Sequence, residues 1–143
     1  MAIPPIPANL TLQIVSADRL LVQEQVDEVE IPGADGYFGV LPGHTPLLAL
    51  LQVGELWYRK GPDKQYLSIA FGFAEVQPDR VTILAEIAER PEEIDIARAE
   101  AAKRRAEERL AKPMVDMDFE RARIALLKSL MRLQVASRAR IRA

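Results

Sequence analysis

From residue 10 to about residue 86 the apolar positions recur in short runs with a period near two. In Thr11-Leu12-Gln13-Ile14-Val15 and Asp27-Glu28-Val29-Glu30-Ile31, apolar side chains alternate with polar ones, the pattern of a strand with one dry and one wet face. The alternation predicts strands over residues 10–15, 26–31, 36–41, 54–59, 65–70, 73–76 and 81–85. Turn residues separate them: Pro32-Gly33-Ala34-Asp35-Gly36, Pro42-Gly43-His44, Lys60-Gly61-Pro62-Asp63 and Gln77-Pro78-Asp79-Arg80. Residues 47–51 form an apolar run whose state, strand or helical turn, the period leaves open. Short, closely spaced strands of this kind point to a sandwich or small barrel.

At Arg90-Pro91 the period changes. Proline suits a first helical position, and Glu92 and Glu93 then face the positive end of a helix dipole. The stretch to Lys112 is rich in Ala, Glu, Lys and Arg, with an apolar stripe at Ala99, Ala102, Ala106 and Leu110. Lys112-Pro113-Met114-Val115-Asp116 breaks it, with Asp116 as the expected cap of a second helix. That helix is expected from about Met117 toward Arg138, with Phe119, Ala122, Leu126, Leu130 and Leu133 on one face. The expected fold class is therefore α+β in two domains: a β-sandwich over residues 1–89, then an antiparallel two-helix hairpin over residues 90–143. A stripe made mostly of alanine buries little area, so the hairpin reads as a weakly held, movable element.

Composition excludes several chemistries. The 143 residues contain no cysteine and one histidine, which removes disulfides, thiolate metal sites and two-histidine zinc helices. No apolar run approaches the ~20 residues that span a bilayer, and the amino terminus lacks the pattern of a secretory signal, so a cytosolic chain is expected. The net charge of −2 conceals a split: residues 1–89 hold 5 Lys/Arg and 12 Asp/Glu, net −7, whereas residues 90–143 hold 14 and 9, net +5. Beyond Glu120 there are seven basic residues and no acidic one.

Candidate chemistry is sparse. His44 lies in a proline-flanked turn and serves as a contact residue, a local backbone partner or a lone imidazole base; no serine or carboxylate is placed to complete a triad. Gly33, Gly36 and Gly39 lack the Gly-Lys-Ser/Thr of a phosphate loop. Trp57 and Tyr58 are adjacent, so one should face the core and the other solvent. Arg98 and Arg105 share a face of the first helix, and Lys128 and Arg132 share a face of the second. These four cations either grip phosphate oxygens in a closed hairpin or form a solvated surface. The basic tail suits nucleic acid or an acidic protein surface, and the acidic first region argues against a dedicated nucleic-acid binder.

The run Gly36-Tyr37-Phe38-Gly39-Val40-Leu41-Pro42-Gly43-His44-Thr45-Pro46-Leu47 resembles the signature loop of the epsilon subunit of bacterial F-type ATP synthase. Gly72-Phe73-Ala74-Glu75-Val76, Val81-Thr82-Ile83-Leu84-Ala85, Ala88-Glu89-Arg90, Ile94-Asp95-Ile96-Ala97-Arg98-Ala99, Asp118-Phe119, Arg121-Ala122 and Arg132-Leu133 continue the likeness in order. The resemblance implies a non-catalytic rotor subunit of the central stalk, peripheral on the cytoplasmic face of the bacterial inner membrane and held there only through the complex. The sandwich would bind the gamma subunit and the ring of c subunits during proton-driven ATP synthesis, with Tyr37 and His44 as ring contacts. Tyr37 stands where an acidic residue is common, and Ala70-Phe71-Gly72 where Ser-Gly-Gly is common.

The resemblance also implies regulation. The hairpin would extend to the alpha/beta catalytic headpiece and obstruct ATP hydrolysis, with Arg121, Arg123, Lys128, Arg132 and Arg138 as contacts. No cofactor is required, but some members bind ATP as a regulatory ligand in the folded hairpin. Glu89, Asp95, Arg98, Arg105 and Arg132 match that site, and Lys128 stands where tight binders have arginine. The alternative is a free-standing ATP-sensing module that uses the same cations.

Overall fold

A computed structural model describes residues 3–112, 114 and 117–142, the side chains of residues 140–142 excepted. The chain divides into two units, Met1–Ala88 and Glu89–Ala143.

The first unit holds eight strands: β1 (Leu10–Val15), β2 (Leu20–Val26), β3 (Glu28–Gly33), β4 (Gly36–Val40), β5 (Leu47–Leu51), β6 (Gly54–Lys60), β7 (Asp63–Val76) and β8 (Arg80–Glu89). They form one hydrogen-bonded sheet in the order β2-β1-β8-β7-β5-β3-β4, and β6 pairs with both β3 and β7. The sheet folds over itself as a sandwich, not a barrel. Tyr58 on β6 is buried, and its hydroxyl donates to Glu24 Oε1 on β2 at 3.3 Å. β1 and β8 are parallel neighbours, with Leu12 opposite Val81 and Ile14 opposite Ile83, whereas β1–β2, β3–β4, β3–β5, β3–β6, β5–β7 and β6–β7 pair antiparallel. The core is the set of inward alternate residues that the period marks, including Leu10, Leu12, Ile14, Val29, Ile31, Leu56, Leu67, Ile69, Val81 and Ile83. Of the adjacent aromatic pair, Tyr58 faces this core, while Trp57 is half-buried with the Lys64 ammonium 4.0 Å from its ring centroid.

Three differences from the sequence expectation have physical causes. β2 is a separate strand, and the expected strand over 26–31 begins only at Glu28. In β2 only Val22 and Val26 are buried, with Leu21 packed partly against the core, so its alternation is weak. The open run 47–51 is strand β5. Residues 65–70 and 73–76 belong to the single strand β7, which stays paired through the irregular Phe71-Gly72 step because Leu51 opposes Gly72 and Leu50 opposes Phe73.

In the second unit, Pro91–Glu93 forms a single 3₁₀ turn, and the first α-helix, α1, spans Ile96–Ala111. The helix begins later than Pro91 because Asp95 caps it: the Asp95 carboxylate accepts from the Arg98 backbone N–H at 3.0 Å. The second helix, α2, spans Phe119–Arg142. The expected cap, Asp116, lies outside the described residues; Asp118 caps α2 by accepting from the Arg121 N–H at 3.0 Å.

The buried face of α2 also differs from the expected leucine stripe. Ala122, Ser129, Val135 and Ala136 are buried, whereas Phe119 and Leu130 are exposed. Small buried residues recur seven apart at 122, 129 and 136 on α2 and at Ala99 and Ala106 on α1, and the two helices pack on each other. Ile94 and Ile96 pack on Val135 and Ala136, which sets the start of α1 beside the far end of α2 and makes the hairpin antiparallel.

Candidate functional site

β4 and the turn after it present Tyr37 and His44. Tyr37 is exposed, and its hydroxyl accepts the Glu55 backbone N–H at 3.0 Å, which fixes the ring beside Gly54. A Cβ on Gly54 would lie 2.6 Å from that hydroxyl, so glycine there lets the tyrosine lie flat on the strand. His44 is half-buried. Its Nδ1 lies 2.7 Å from the Thr45 carbonyl oxygen, which accepts only, so Nδ1–H donates to it. The turn is held by the His44 N–H donating to Leu41 O at 3.1 Å, by the Gly43 N–H donating to Pro78 O at 2.7 Å, and by Gly43 at φ 89°.

In the hairpin unit the structure brings Glu89 and Arg132 together. Arg132 Nε donates to Glu89 Oε1 at 2.8 Å and Nη2 donates to Oε2 at 3.1 Å, a two-point ion pair with both side chains about four-fifths buried. Arg98 and Arg105 are exposed, and neither forms an ion pair among the described residues. Asp95 is engaged as the α1 cap. Lys128 is half-buried and lines a shallow cavity of about 350 Å³ with Asp118, Glu120, Arg121, Ile124 and Ala125, all from α2 and its cap.

Arg121 is exposed and Arg138 half-buried. Arg123 pairs with Glu120 one turn back, its Nε donating to Glu120 Oε2 at 3.1 Å. That contact holds the Glu120 carboxyl below the ordinary glutamate range and raises the Arg123 guanidinium.

One feature lay outside the sequence reading. On β5, Leu48 and Leu50 are 70% and 69% exposed, and Phe73 on β7, opposite Leu50, is 42% exposed. With Leu84 on β8 they give the sandwich an apolar outer face. The available signal was Leu47-Leu48-Ala49-Leu50-Leu51, a strand with no polar alternate, which calls for cover on both faces. A groove of about 700 Å³ crosses this face, lined by Leu50, Phe71, Gly72, Phe73, Leu84 and Glu86 among others. Among the described residues no helix is long and apolar enough to cross a membrane, and no cluster of His, Asp or Glu is arranged to hold a metal ion.

Comparison with known proteins places these features in a family. Residues 9–91 match the model of the ATP synthase Delta/Epsilon chain β-sandwich domain, and residues 92–137 match that of the long α-helix domain of the same chain. The ATP synthase epsilon chain of Koribacter versatilis is 56% identical over 98 residues, 68% of this chain and 69% of that one. ATP synthase epsilon chain 2 of Syntrophotalea carbinolica is 48% identical over 131 residues, covering 91% of this chain and 95% of the relative. Among solved structures, a chain of the Euglena gracilis mitochondrial ATP synthase, OSCP/F1/c-ring in rotational state 1, is 28% identical with a TM-score of 0.79, over 96% of this chain and 84% of that one. The central stalk/c-ring of the Tetrahymena thermophila enzyme shares the fold at 11% identity and a TM-score of 0.56. The two domain matches in order and the near-full-length identity show that the chain belongs to the epsilon-chain family of F-type ATP synthase.

Proposed function

We propose that the chain is a non-catalytic central-stalk subunit that couples the gamma subunit to the c-ring during proton-driven ATP synthesis and restrains ATP hydrolysis through its helical hairpin. The observation that carries this reading is the 28% identity and 0.79 TM-score, over 96% of the chain, to a component of an assembled F1/c-ring structure. The sandwich, residues 1–89, serves as the docking domain and the hairpin, residues 90–143, as the regulatory one. Tyr37 and His44 are the ring contacts in this reading. Tyr37 offers an exposed ring locked by the Glu55 N–H, and His44 offers its imidazole from a turn whose backbone is already fixed, so little entropy is lost on contact.

The hairpin's basic residues, Arg121, Arg123, Lys128, Arg132 and Arg138, meet acidic segments of the alpha/beta headpiece. For Arg123 and Arg132 this requires exchanging an internal carboxylate, Glu120 or Glu89, for an external one. ATP acts on the same element as a regulatory ligand, with Arg98, Arg105 and Lys128 reaching its phosphates and with Glu89, Asp95 and Arg132 completing the contact set. Calorimetry with the Arg98→Ala variant as control tests that part: heat release that survives the substitution removes Arg98 from the site. The complex holds the chain on the cytoplasmic face of the inner membrane. Membranes carrying the enzyme stripped of this chain should recapture it from solution, and a chain that stays in the supernatant contradicts the reading.

A further inference from the structure

Residues 3–7 read Ile-Pro-Pro-Ile-Pro, and the match to the sandwich domain begins after them, at residue 9. Ile3, Pro4 and Ile6 are each followed by proline, which disfavours the helical region at the preceding residue, and each proline has its own φ fixed. The segment is therefore a stiff, extended arm that has little conformational entropy left to lose. Both of its isoleucines face water: Ile3 is 90% exposed and Ile6 75% exposed.

The arm has a defined place on the sandwich. Just after it, the Thr11 N–H donates to Asp79 O at 2.9 Å, while the Gly43 N–H donates to Pro78 O at 2.7 Å. The root of the arm and the turn that carries His44 thus meet at one end of the sandwich, on either side of Pro78 and Asp79. Ile6 lies over Gly43, since a Cβ on that glycine would stand 3.2 Å from Ile6 Cγ2. Leu41, in the same turn, is 54% exposed and adds apolar surface beside it. Three extended residues separate Ile3 from Ile6, so the arm carries this surface about 9 Å further.

Charge decides what the arm suits. Residues 3–17 hold no charged side chain. Anionic lipid surfaces attract segments through Lys and Arg, and this one offers neither. An uncharged, stiff segment with two exposed isoleucines suits an apolar protein surface, where little ordering entropy opposes docking.

We infer that residues 3–7 are an accessory docking arm that widens the contact made by the His44 turn, with Ile3 and Ile6 seated on apolar side chains of the c-ring's exposed loops. This rests on the stalk reading given above. The isoleucines are mostly exposed in the free chain, so they add contact area on docking while adding little to folding.

The experiment titrates the full-length chain, Ile3→Ser and the double variant Ile3→Ser/Ile6→Ser onto two preparations stripped of this chain: membranes carrying the enzyme with its ring, and the soluble headpiece with gamma but no ring. The double variant should bind the ring-carrying membranes about tenfold more weakly, the size of a moderate interface anchor, and the ring-free headpiece with unchanged affinity. Ile3→Ser should bind the membranes at an intermediate strength and unfold at the temperature of the unsubstituted chain, which separates docking from folding. Equal binding of all three chains to the membranes overturns the inference and leaves the stalk reading standing. If the unsubstituted chain fails to bind, the stalk reading falls and this inference with it. Equal weakening on both preparations would assign the arm to gamma and overturn the ring assignment. Protein-free phosphatidylglycerol vesicles should leave the chain in solution; uptake that the double variant abolishes would give the arm to lipid and overturn the inference. A lower unfolding temperature for Ile3→Ser would make the arm part of the fold and overturn its docking role.

Discussion

Arg132 grips both carboxylate oxygens of Glu89, 43 residues earlier in the chain, through Nε and Nη2 at 2.8 and 3.1 Å. The fork of a guanidinium matches a carboxylate in a way an ammonium cannot, and the side chains are only 23% and 21% exposed. This contact fastens α2 at the root of the hairpin. A double-mutant cycle over Glu89→Gln and Arg132→Gln should return a coupling of about 1–2 kcal/mol, between exposed and buried charged pairs. Additive effects would remove the pair from any account of hairpin stability.

Asp95 separates two roles with one substitution. As the α1 cap it accepts the Arg98 N–H at 3.0 Å. Asp95→Ala should cost about 1 kcal/mol of hairpin stability, and Asp95→Asn should recover most of it, since asparagine caps nearly as well. Amide hydrogen exchange over the first turn of α1 reads this directly. Equal protection in Asp95→Ala and the unsubstituted chain would contradict the capping role.

Among the glycines, Gly72 leaves the least room for a side chain. It combines φ 113° with a Cβ position already occupied by β8 backbone. Gly72→Ala should destabilise the sandwich by about 3 kcal/mol or more, because strand backbone cannot move aside as a flexible side chain does. The check is chemical denaturation; a midpoint equal to that of the unsubstituted chain would mean that β7 and β8 do not meet as described.

The Glu120–Arg123 pair gives a pH signature. Its folded-state carboxyl is held below the ordinary glutamate value, chiefly by the hydrogen bond from Arg123. The pair's contribution is complete above the unfolded glutamate pKa, about 4.3, and is lost as the pH falls through the lower folded value. The Glu120 carboxyl resonance should titrate at lower pH in the unsubstituted chain than in Arg123→Gln. Identical midpoints would contradict the contact.

Period two located most of the sandwich because each core strand has one wet face. It missed β2, where only two side chains are buried, and divided β7, where strained backbone interrupts the alternation without ending the pairing. In the hairpin, the expected α2 stripe was right at Ala122 but overstated at Phe119 and Leu130, which are exposed, and it left out Ser129, Val135 and Ala136, which are buried. The buried residues Ala99 and Ala106 of α1 and Ala122, Ser129 and Ala136 of α2 are small, and such side chains carry little hydrophobic signal.

The candidate site shows the same limit. Arg98 with Arg105 and Lys128 with Arg132 were legible as shared faces, since that follows from spacing along one helix. The Glu89–Arg132 contact was not legible from spacing, because it depends on how α2 returns along the hairpin. The signature run 36–47 carried the family resemblance, and the apolar face at Leu48, Leu50 and Phe73 lay next to it unread. A strand apolar at every position looks like core until its exposure is known.

The central claim is coupling by a subunit that has no catalysis of its own. It is tested most directly in sealed membrane vesicles carrying the enzyme stripped of this chain, by measuring proton-driven ATP synthesis and ATP hydrolysis before and after adding the chain back. Synthesis should appear on addition, and hydrolysis should fall at the same concentrations. Synthesis at full rate without the chain, or no change in either rate when it rebinds, would contradict the account.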